Sequence, residues 1–167
     1  MLPINLRSFR RKVEQKKKGM RAFLTRLEKD LPKDIDETTQ LIDKDIWLET
    51  DCLTCGNCCK TMTPTFTRED IRRISSHFKM TPGQFKAKWL TYNKKDKDWV
   101  NVVMPCQFLD KKTNMCSIYS IRPADCAGFP HLAKKKIVNY MHVHKQNLSY
   151  CPATFKMVEK MQALIKG

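Results

Sequence analysis

Cys52-Leu-Thr-Cys-Gly-Asn-Cys-Cys59 is the stretch on which the organisation of this chain depends. Three of its cysteines are spaced by three residues, and a fourth follows the third directly. A Cys-x-x-Cys turn brings two thiolates within reach of one ion, because the intervening residues curl the backbone and turn its amides toward the sulfurs. Gly56 and Asn57 suit such a loop, since both tolerate a positive φ angle. The spacing therefore predicts a metal site.

The whole chain has eight cysteines in 167 residues. Eight thiolates can fill two four-coordinate sites, or hold one iron–sulfur cluster with thiols to spare. A secreted disulfide framework is disfavoured, because the first residues lack the apolar run of a secretory signal and adjacent cysteines form strained disulfides. A redox dithiol in the first Cys-x-x-Cys would leave six cysteines unexplained. In a reduced, cytoplasmic chain we predict metal ligation by all eight: Cys52, Cys55, Cys58, Cys59, Cys106, Cys116, Cys126 and Cys151.

The spacing also suggests how these ligands are shared. Cys52, Cys55 and Cys58 lie in one loop, so we expect them to hold a common centre. The Cys59 side chain should point away from its neighbour and serve a second metal, or a centre that later cysteines hold. Cys126 and Cys151, each expected at a helix end, are the choices to complete the sites. Of the four histidines, His131 is the best mixed-ligand candidate because it lies close to Cys126 in sequence.

Charge is distributed unevenly around a net value of +15. Residues 7–33 carry 11 Lys and Arg against 3 Asp and Glu, whereas residues 34–51 carry 1 against 7. The apolar periodicity predicts a helix over 4–31 and a second over 36–49, with Leu41, Ile42, Ile46 and Leu48 facing inward. The opposite charges favour an antiparallel hairpin of complementary charge. A basic surface is also typical of proteins that contact nucleic acid or an anionic protein.

The rest of the chain predicts short helices and strands. Helices are expected from Thr67 to about Phe78 and after Thr81-Pro82, since each begins at a capping threonine. Strands are expected at 99–104 and 134–143, and a hairpin at 105–119. A short helix over 121–126 and a last helix after Cys151-Pro152 complete the pattern. This predicts an α+β fold: a small, irregular, metal-centred domain at 51–167 behind an N-terminal helical extension at 1–50.

Several classes of function lack their motifs. The sequence has no glycine-rich phosphate loop, and none of its segments approaches the ~18 apolar residues of a membrane span. No serine–histidine–aspartate arrangement or pair of catalytic carboxylates stands out. No catalytic residue is therefore predicted.

The cysteines and the residues between them resemble a known family. The resemblance rests on the Cys52–Cys59 run, Pro105-Cys106-x-Phe-Leu, Cys116-x-Ile-Tyr119, Arg122-Pro123-x-x-Cys126 and the late Cys151. This pattern is similar to the YkgJ-type CxxCxxCC cysteine-cluster family over about residues 50–155. The resemblance implies zinc or iron chelation. Family members often carry arginine after the cysteine that matches Cys126, where this chain has Ala127.

We therefore expect a zinc- or iron-binding cysteine-cluster protein. One alternative is an iron–sulfur enzyme, because a related cysteine pattern occurs in flagellin lysine-N-methylases. Another is a basic RNA- or ribosome-associated module whose metal is structural. Arg122 is expected to donate hydrogen bonds to a cluster sulfur or a carboxylate, and Ile118 and Tyr119 to pack in the core.

Overall fold

The computed structural model describes residues 4–132, 134 and 136–165. It divides into two compact units. The first contains the residues up to Cys55 together with those from Pro130 onward, and the second is Gly56–Phe129. This grouping differs from the sequence boundary at residue 50, because the C-terminal helices share a unit with the N-terminal ones.

Helices and short strands make up the described residues, which confirms the α+β class. In chain order the elements are α1 Leu6–Lys29, α2 Ile35–Glu49, α3 Cys52–Cys55, α4 Asn57–Thr61, β1 Thr65–Phe66, α5 Arg68–His77, α6 Pro82–Trp89, β2 Leu90–Asn93, β3 Asp98–Asn101, α7 Ala124–Gly128, α8 Met141–Asn147 and α9 Pro152–Leu164. Two 3₁₀ turns, Tyr119–Ile121 and Ile137–Tyr140, lie between the later helices.

The core of the first unit forms where α1 and α2 pack against α9. Helix α1 begins at Asn5, whose side chain accepts a hydrogen bond from the Ser8 amide at 2.9 Å. Its apolar stripe is buried, and Phe9 meets Phe155 of α9 edge to face with ring centroids 5.8 Å apart. The expected N-terminal helical hairpin is therefore confirmed.

Helix α2 buries fewer of its apolar residues than expected. Ile42 and Ile46 are buried, as predicted, and they share a stripe with Ile35 and Thr39. Leu41 and Leu48 are 67% and 75% exposed, so their predicted inward orientation is wrong. The reason is the helical period: a stripe that follows i, i+4 steps through 42 and 46 turns 41 and 48 away from it.

The acidic side chains of α2 form ion pairs with α9. Among the described residues, no ion pair joins α1 to α2, so the predicted charge complementarity between these two helices is wrong there. Lys156 lies 3.3 Å from Glu49, and Lys160 contacts both Asp45 and Glu49. The basic α1 also pairs with α9, through Lys16 and Glu159 at 2.6 Å. The reason is that α9 carries both signs of charge and packs between these partners.

A strand was predicted over residues 134–143, and this prediction is wrong for the described residues of that range. Ala133 and Lys135 lie outside the described residues. The segment forms the turn Ile137–Tyr140 and the start of α8, and the Asp36 carboxylate accepts hydrogen bonds from the amides of Lys136 and Ile137 at 3.1 and 2.9 Å. Residues two apart on a helix point in different directions, so His142 is exposed while His144 is buried.

The second unit contains a three-stranded antiparallel sheet in the order β1-β3-β2. Tyr92 of β2 pairs with Trp99 of β3. Strand β3 ends at Asn101, short of the predicted 104, and the residues 102–104 are exposed. The predicted hairpin at 105–119 is reduced to a single bridge between Leu109 and Cys116. Helices α5 and α6 supply the core beside the sheet, which contains Phe66, Ile71, Ile74, Phe85, Leu90, Phe108 and Ile118.

The buried carboxylate of Asp70 ties α5 to the segment that leads into α7. It accepts hydrogen bonds from the Thr67 amide and hydroxyl at 3.0 and 2.7 Å, from the Ala124 amide at 3.0 Å and from Arg73 at 2.8 Å. Burial acts to raise the pKa of Asp70, but these hydrogen bonds together lower it below its usual value. The structure thus favours the ionised form of this side chain.

Asp70→Asn is expected to destabilise the protein by about 1–3 kcal/mol at pH 7, because four donor groups on three residues lose a charged acceptor in a buried site. The depressed pKa means that the contribution of Asp70 is complete above the unfolded-state pKa near 4 and is lost as the pH falls through the folded-state value. Urea unfolding at pH 7 and pH 3 checks this. Glu69→Gln is the control, since Glu69 pairs with Arg72 on the exposed surface. Equal effects of the two substitutions at pH 7 would contradict the prediction.

Candidate metal centre

The Cys52–Cys59 stretch forms two short helices, α3 and α4, where a loop was expected. Gly56 separates them in the left-handed region, with a φ of 54°, while Asn57 is already the first residue of α4. A Cβ atom on Gly56 would lie 2.8 Å from the side-chain nitrogen and oxygen of Asn114. The turn therefore requires glycine both for its backbone conformation and for the close approach of Asn114.

Three separate segments of the second unit bring cysteines toward Cys59. The Cys106 amide donates a hydrogen bond to the Cys59 carbonyl at 2.8 Å, and the Leu109 amide donates to the Cys106 carbonyl at 3.0 Å. Leu109 then pairs with Cys116 in the single bridge of this segment. Backbone hydrogen bonds thus connect three of the four cysteines that are near each other in this unit.

Cys126 is the fourth of these cysteines, and it lies in the middle of α7. The Asp125 carboxylate accepts a hydrogen bond from the Thr65 amide at 3.0 Å, which fixes α7 beside β1. Arg73 holds the preceding residues, because its guanidinium donates to the carbonyls of Ile121 and Arg122 at 2.6 and 3.1 Å. The position of Cys126 therefore depends on α5 and on β1 of the same unit.

The four thiols interact electrostatically. Burial raises the pKa of Cys126 well above its usual range, and the charges of Cys59, Cys106 and Cys116 raise it further. Burial is also the largest cause of the raised pKa values of Cys106 and Cys116, and Cys59 contributes to both. Cys59 thus disfavours ionisation of each of the other three thiols, so an ion that neutralises their thiolates would relieve this repulsion.

Cys58 also belongs to this neighbourhood. A side-chain hydrogen bond with Cys58 is the largest cause of the strongly raised pKa of Cys59, ahead of burial. Both residues lie within the short helix α4. That the side chain of Cys59 points away from its neighbour stays a prediction.

The thiols of Cys59, Cys106, Cys116 and Cys126 interact electrostatically, but their sulfurs are not arranged at metal-bonding distances around one point. Among the described residues, no three His, Cys, Asp or Glu side chains are arranged to hold an ion as they stand. Electrostatic coupling acts over several ångströms, whereas a zinc–sulfur bond is about 2.3 Å long. The donor set, four soft thiolates, fits zinc or iron.

Three cysteines lie in the first unit. Cys55 and Cys151 are buried, and Cys52 is exposed. Cys151 caps the N-terminus of α9, as predicted. Burial nevertheless raises the pKa of Cys151 to about 12, and the nearby Cys52 adds to this, so burial outweighs the thiolate-favouring effect expected of a helix N-terminus. That Cys52, Cys55 and Cys58 hold a common centre stays a prediction, as does ligation by all eight cysteines.

Two polar residues near the thiols have roles that the sequence did not fully indicate. The Arg122 guanidinium donates to the Tyr119 carbonyl at 2.7 Å and stacks on the ring of Tyr119 at 3.9 Å, while its charge acts to lower the pKa of Cys116. Tyr119 is 39% exposed, so its expected core position is wrong, whereas Ile118 is buried as predicted.

Asn101, at the end of β3, was not predicted to contribute. The Asn101 side chain is buried, and its Oδ1 accepts a hydrogen bond from Gln107 at 2.9 Å. Asn101 also acts to lower the pKa of Cys106, as a hydrogen-bond donor does. Its Nδ2 has no described partner at normal hydrogen-bond length, so the approach to the sulfur is a long one. The only sequence signal was an asparagine in an otherwise apolar strand.

The histidines separate into different environments. His131 adopts a positive φ of 65° and its ring lies 6.1 Å from that of Tyr140. His144 is fully buried, and its ring nitrogens have no hydrogen-bond partner among the described residues. Burial lowers the pKa of His144 to about 4, and the charges of His131 and His142 act in the same direction. His144 is therefore neutral at pH 7, and ligation by His131 stays a prediction.

No helix in the described part of the chain has the length and apolar character needed to cross a membrane.

Comparison with known proteins agrees with the cysteine pattern. A family model described as "Putative zinc- or iron-chelating domain" matches residues 51–152, which is more than half of the chain. An uncharacterized protein of Methanocaldococcus jannaschii is 33% identical over 81 residues, or 48% of this chain and 43% of that protein. The chain thus spans less than half the length of this relative, and no solved structure matches. On the evidence of the family model, the chain belongs to the CxxCxxCC family of zinc- or iron-chelating domains.

Proposed function

We propose that this protein chelates zinc or iron through a four-thiolate centre formed by Cys59, Cys106, Cys116 and Cys126. The observation that supports it most is the effect of Cys59 on the pKa of each of the other three thiols within residues 56–129. Four cysteines from separate segments are the usual donors of a closed structural zinc site, and iron accepts the same ligands. Once bound, the ion would supply a cross-link between those segments.

Two nearby residues act to lower thiol pKa values at this centre. Asn101 acts on Cys106 as a donor does, and the Arg122 cation acts on Cys116. Donors and charges of this kind orient metal ligands and stabilise their ionised form.

We further propose a reducing compartment, the cytoplasm, because all eight cysteines lie in the described residues and none forms a disulfide. Cys52, Cys55 and Cys151, all in the first unit, remain candidates for a second centre. The comparisons favour neither the iron–sulfur enzyme nor the RNA-binding module.

Anaerobic purification followed by elemental analysis and absorption spectroscopy tests the proposal. We expect at least one equivalent of zinc or iron per chain, colourless for zinc and coloured for thiolate-bound iron or an iron–sulfur cluster. Because the thiols are protonated near neutral pH without metal, binding should release about four protons per ion at this centre. The affinity of the metal-free protein should therefore rise steeply between pH 6 and pH 8. Calorimetry in buffers of different ionisation enthalpy measures the proton release.

Protein that holds neither metal after anaerobic purification, and whose thiols stay equally reactive after zinc is added, would overturn the proposal. Release of only one or two protons per ion, with metal bound, would instead show that other groups take the place of these thiols.

A further inference from the structure

Most of the positive charges on the solvent-facing side of α1 have no acidic partner among the described residues of the first unit. The helix has ten Lys and Arg residues against two Glu. Lys16 pairs with Glu159, and Arg21 donates to the Lys145 carbonyl at 3.0 Å. The other eight have no ion pair or side-chain hydrogen bond with any described residue: Arg7, Arg10, Arg11, Lys12, Lys17, Lys18, Arg26 and Lys29.

Four of these cations form one line along the helix. At 100° per residue, Arg7, Arg11, Lys18 and Lys29 fall within about 40° of one another, on the side opposite the buried stripe. From Arg7 to Lys29 the line extends for about 33 Å, at 1.5 Å per residue. All four side chains are exposed, and the exposed Glu14 lies between Arg11 and Lys18 on the same side of the helix, about 20° from the direction of Arg7. We call these four residues the α1 basic line.

The opposite side of α1 narrows the choice of partner. An amphipathic helix binds a membrane by burying its apolar face among the lipids. Here that face is already buried within the unit, at Phe9, Val13, Met20, Phe23, Leu24 and Leu27. The two aromatic residues of α1 are both in that buried set, so the exposed side has no ring on which an unpaired base could stack. What it offers is a straight, rigid row of cations.

We propose that the α1 basic line binds the phosphate backbone of a double-stranded nucleic acid without reading its sequence. Contacts of Arg and Lys to phosphate position a protein without specifying bases, and a row of four cations about 33 Å long offers several such contacts along one duplex. This interaction goes beyond metal chelation and is independent of it, since no cysteine lies in α1.

Binding of the metal-loaded full chain to fluorescent 20-base-pair RNA and DNA duplexes at several salt concentrations tests the proposal. The variant R7Q/R11Q/K18Q removes three charges from the line. The matched control K94Q/K95Q/K97Q removes three from the exposed turn between β2 and β3, where Asp96 and Asp98 already offset the lysines. For the α1 variant, we expect the slope of log affinity against log salt concentration to become shallower by about three. We also expect its affinity at 100 mM salt to fall at least tenfold. The control should stay within threefold of wild type.

Three outcomes would overturn the proposal. One is an equal loss in both variants, which would show that only net charge matters. Another is a greater loss in the control, which would place the contact at the β2–β3 turn beside Tyr92. The third is duplex binding that is unchanged in the α1 variant while binding to vesicles containing phosphatidylserine is lost. Circular dichroism and melting temperature confirm that both variants fold, so a loss of binding reports on the surface.

Discussion

Cys59→Ser is expected to remove one metal equivalent per chain and to lower the melting temperature by 10 °C or more. Cys59 is the cysteine that acts on all three others of the proposed centre, Cys106, Cys116 and Cys126. Serine keeps the shape of the side chain but does not supply a thiolate. The remaining three sulfurs then bind far more weakly, and the binding free energy that supports the fold is lost. Elemental analysis and thermal melting of anaerobically prepared protein measure both effects.

Cys55→Ser is the informative comparison for this experiment. Cys55 is a buried cysteine of the first unit, outside the proposed centre of the second. If the chain holds two centres, Cys55→Ser and Cys59→Ser should remove different equivalents, and the double variant should lose both. If both single variants lose the same single ion, the two-centre arrangement is wrong and one cluster takes its place.

The exposed Ser120, four residues after Cys116, provides a control for handling. Ser120→Ala should retain the full metal content and melt within about 1–2 °C of wild type, because it changes an exposed hydroxyl and no ligand. A loss of metal in this variant would mean that the preparation, not the ligand, decides occupancy.

Phe155→Ala is expected to destabilise the protein by about 3–5 kcal/mol, enough to unfold a domain of ordinary stability near 37 °C. Phe155 of α9 is 2% exposed and meets Phe9 of α1 edge to face. Truncation removes the burial of a whole ring and leaves a cavity where two helices meet. Denaturant unfolding followed by circular dichroism, on protein with its metal bound, measures the effect.

The same helix offers a matched control. Leu164 of α9 is 65% exposed, whereas Phe155, Val158 and Met161 of the same helix are buried. Leu164→Ala should therefore change stability by less than about 0.5 kcal/mol. A double-mutant cycle that combines Phe155→Ala with Phe9→Ala should give an interaction free energy of about 0.5–1.5 kcal/mol for the ring pair. Coupling near zero would contradict the packing of α1 on α9.

This packing also bears on the N-terminal segment. From the sequence, residues 1–33 are expected to be removable without loss of metal. In the structure, α1 supplies Phe9, Met20 and Leu24 to the core of the first unit. Deletion should therefore expose the apolar surface of α9 and destabilise that unit. Proteolysis of the deleted protein, with the C-terminal helices as the observed fragment, measures this.

Local signals in the sequence determined the elements that depend on nearby residues alone. The capping threonines Thr67 and Thr81 marked the starts of α5 and α6, and both capping boxes are present. The apolar period of α1 and the Cys151-Pro152 start of α9 were equally clear. The cysteine spacing, together with the residues between the cysteines, identified the family. These features carry their own signal because capping, periodicity and ligand spacing act within a few residues.

Tertiary structure decided what depends on residues far apart in sequence. His142 and His144 alternate as in a strand, yet the chain there forms a helix, because the Asp36 carboxylate and the packing of α8 on α1 outweigh a weak local preference. Nothing local shows that α9 lies between α1 and α2, or that Asn101 faces Cys106. The cysteine types and spacing could be read from the chain, but which thiols approach one another is determined by hydrogen bonds and packing between distant segments.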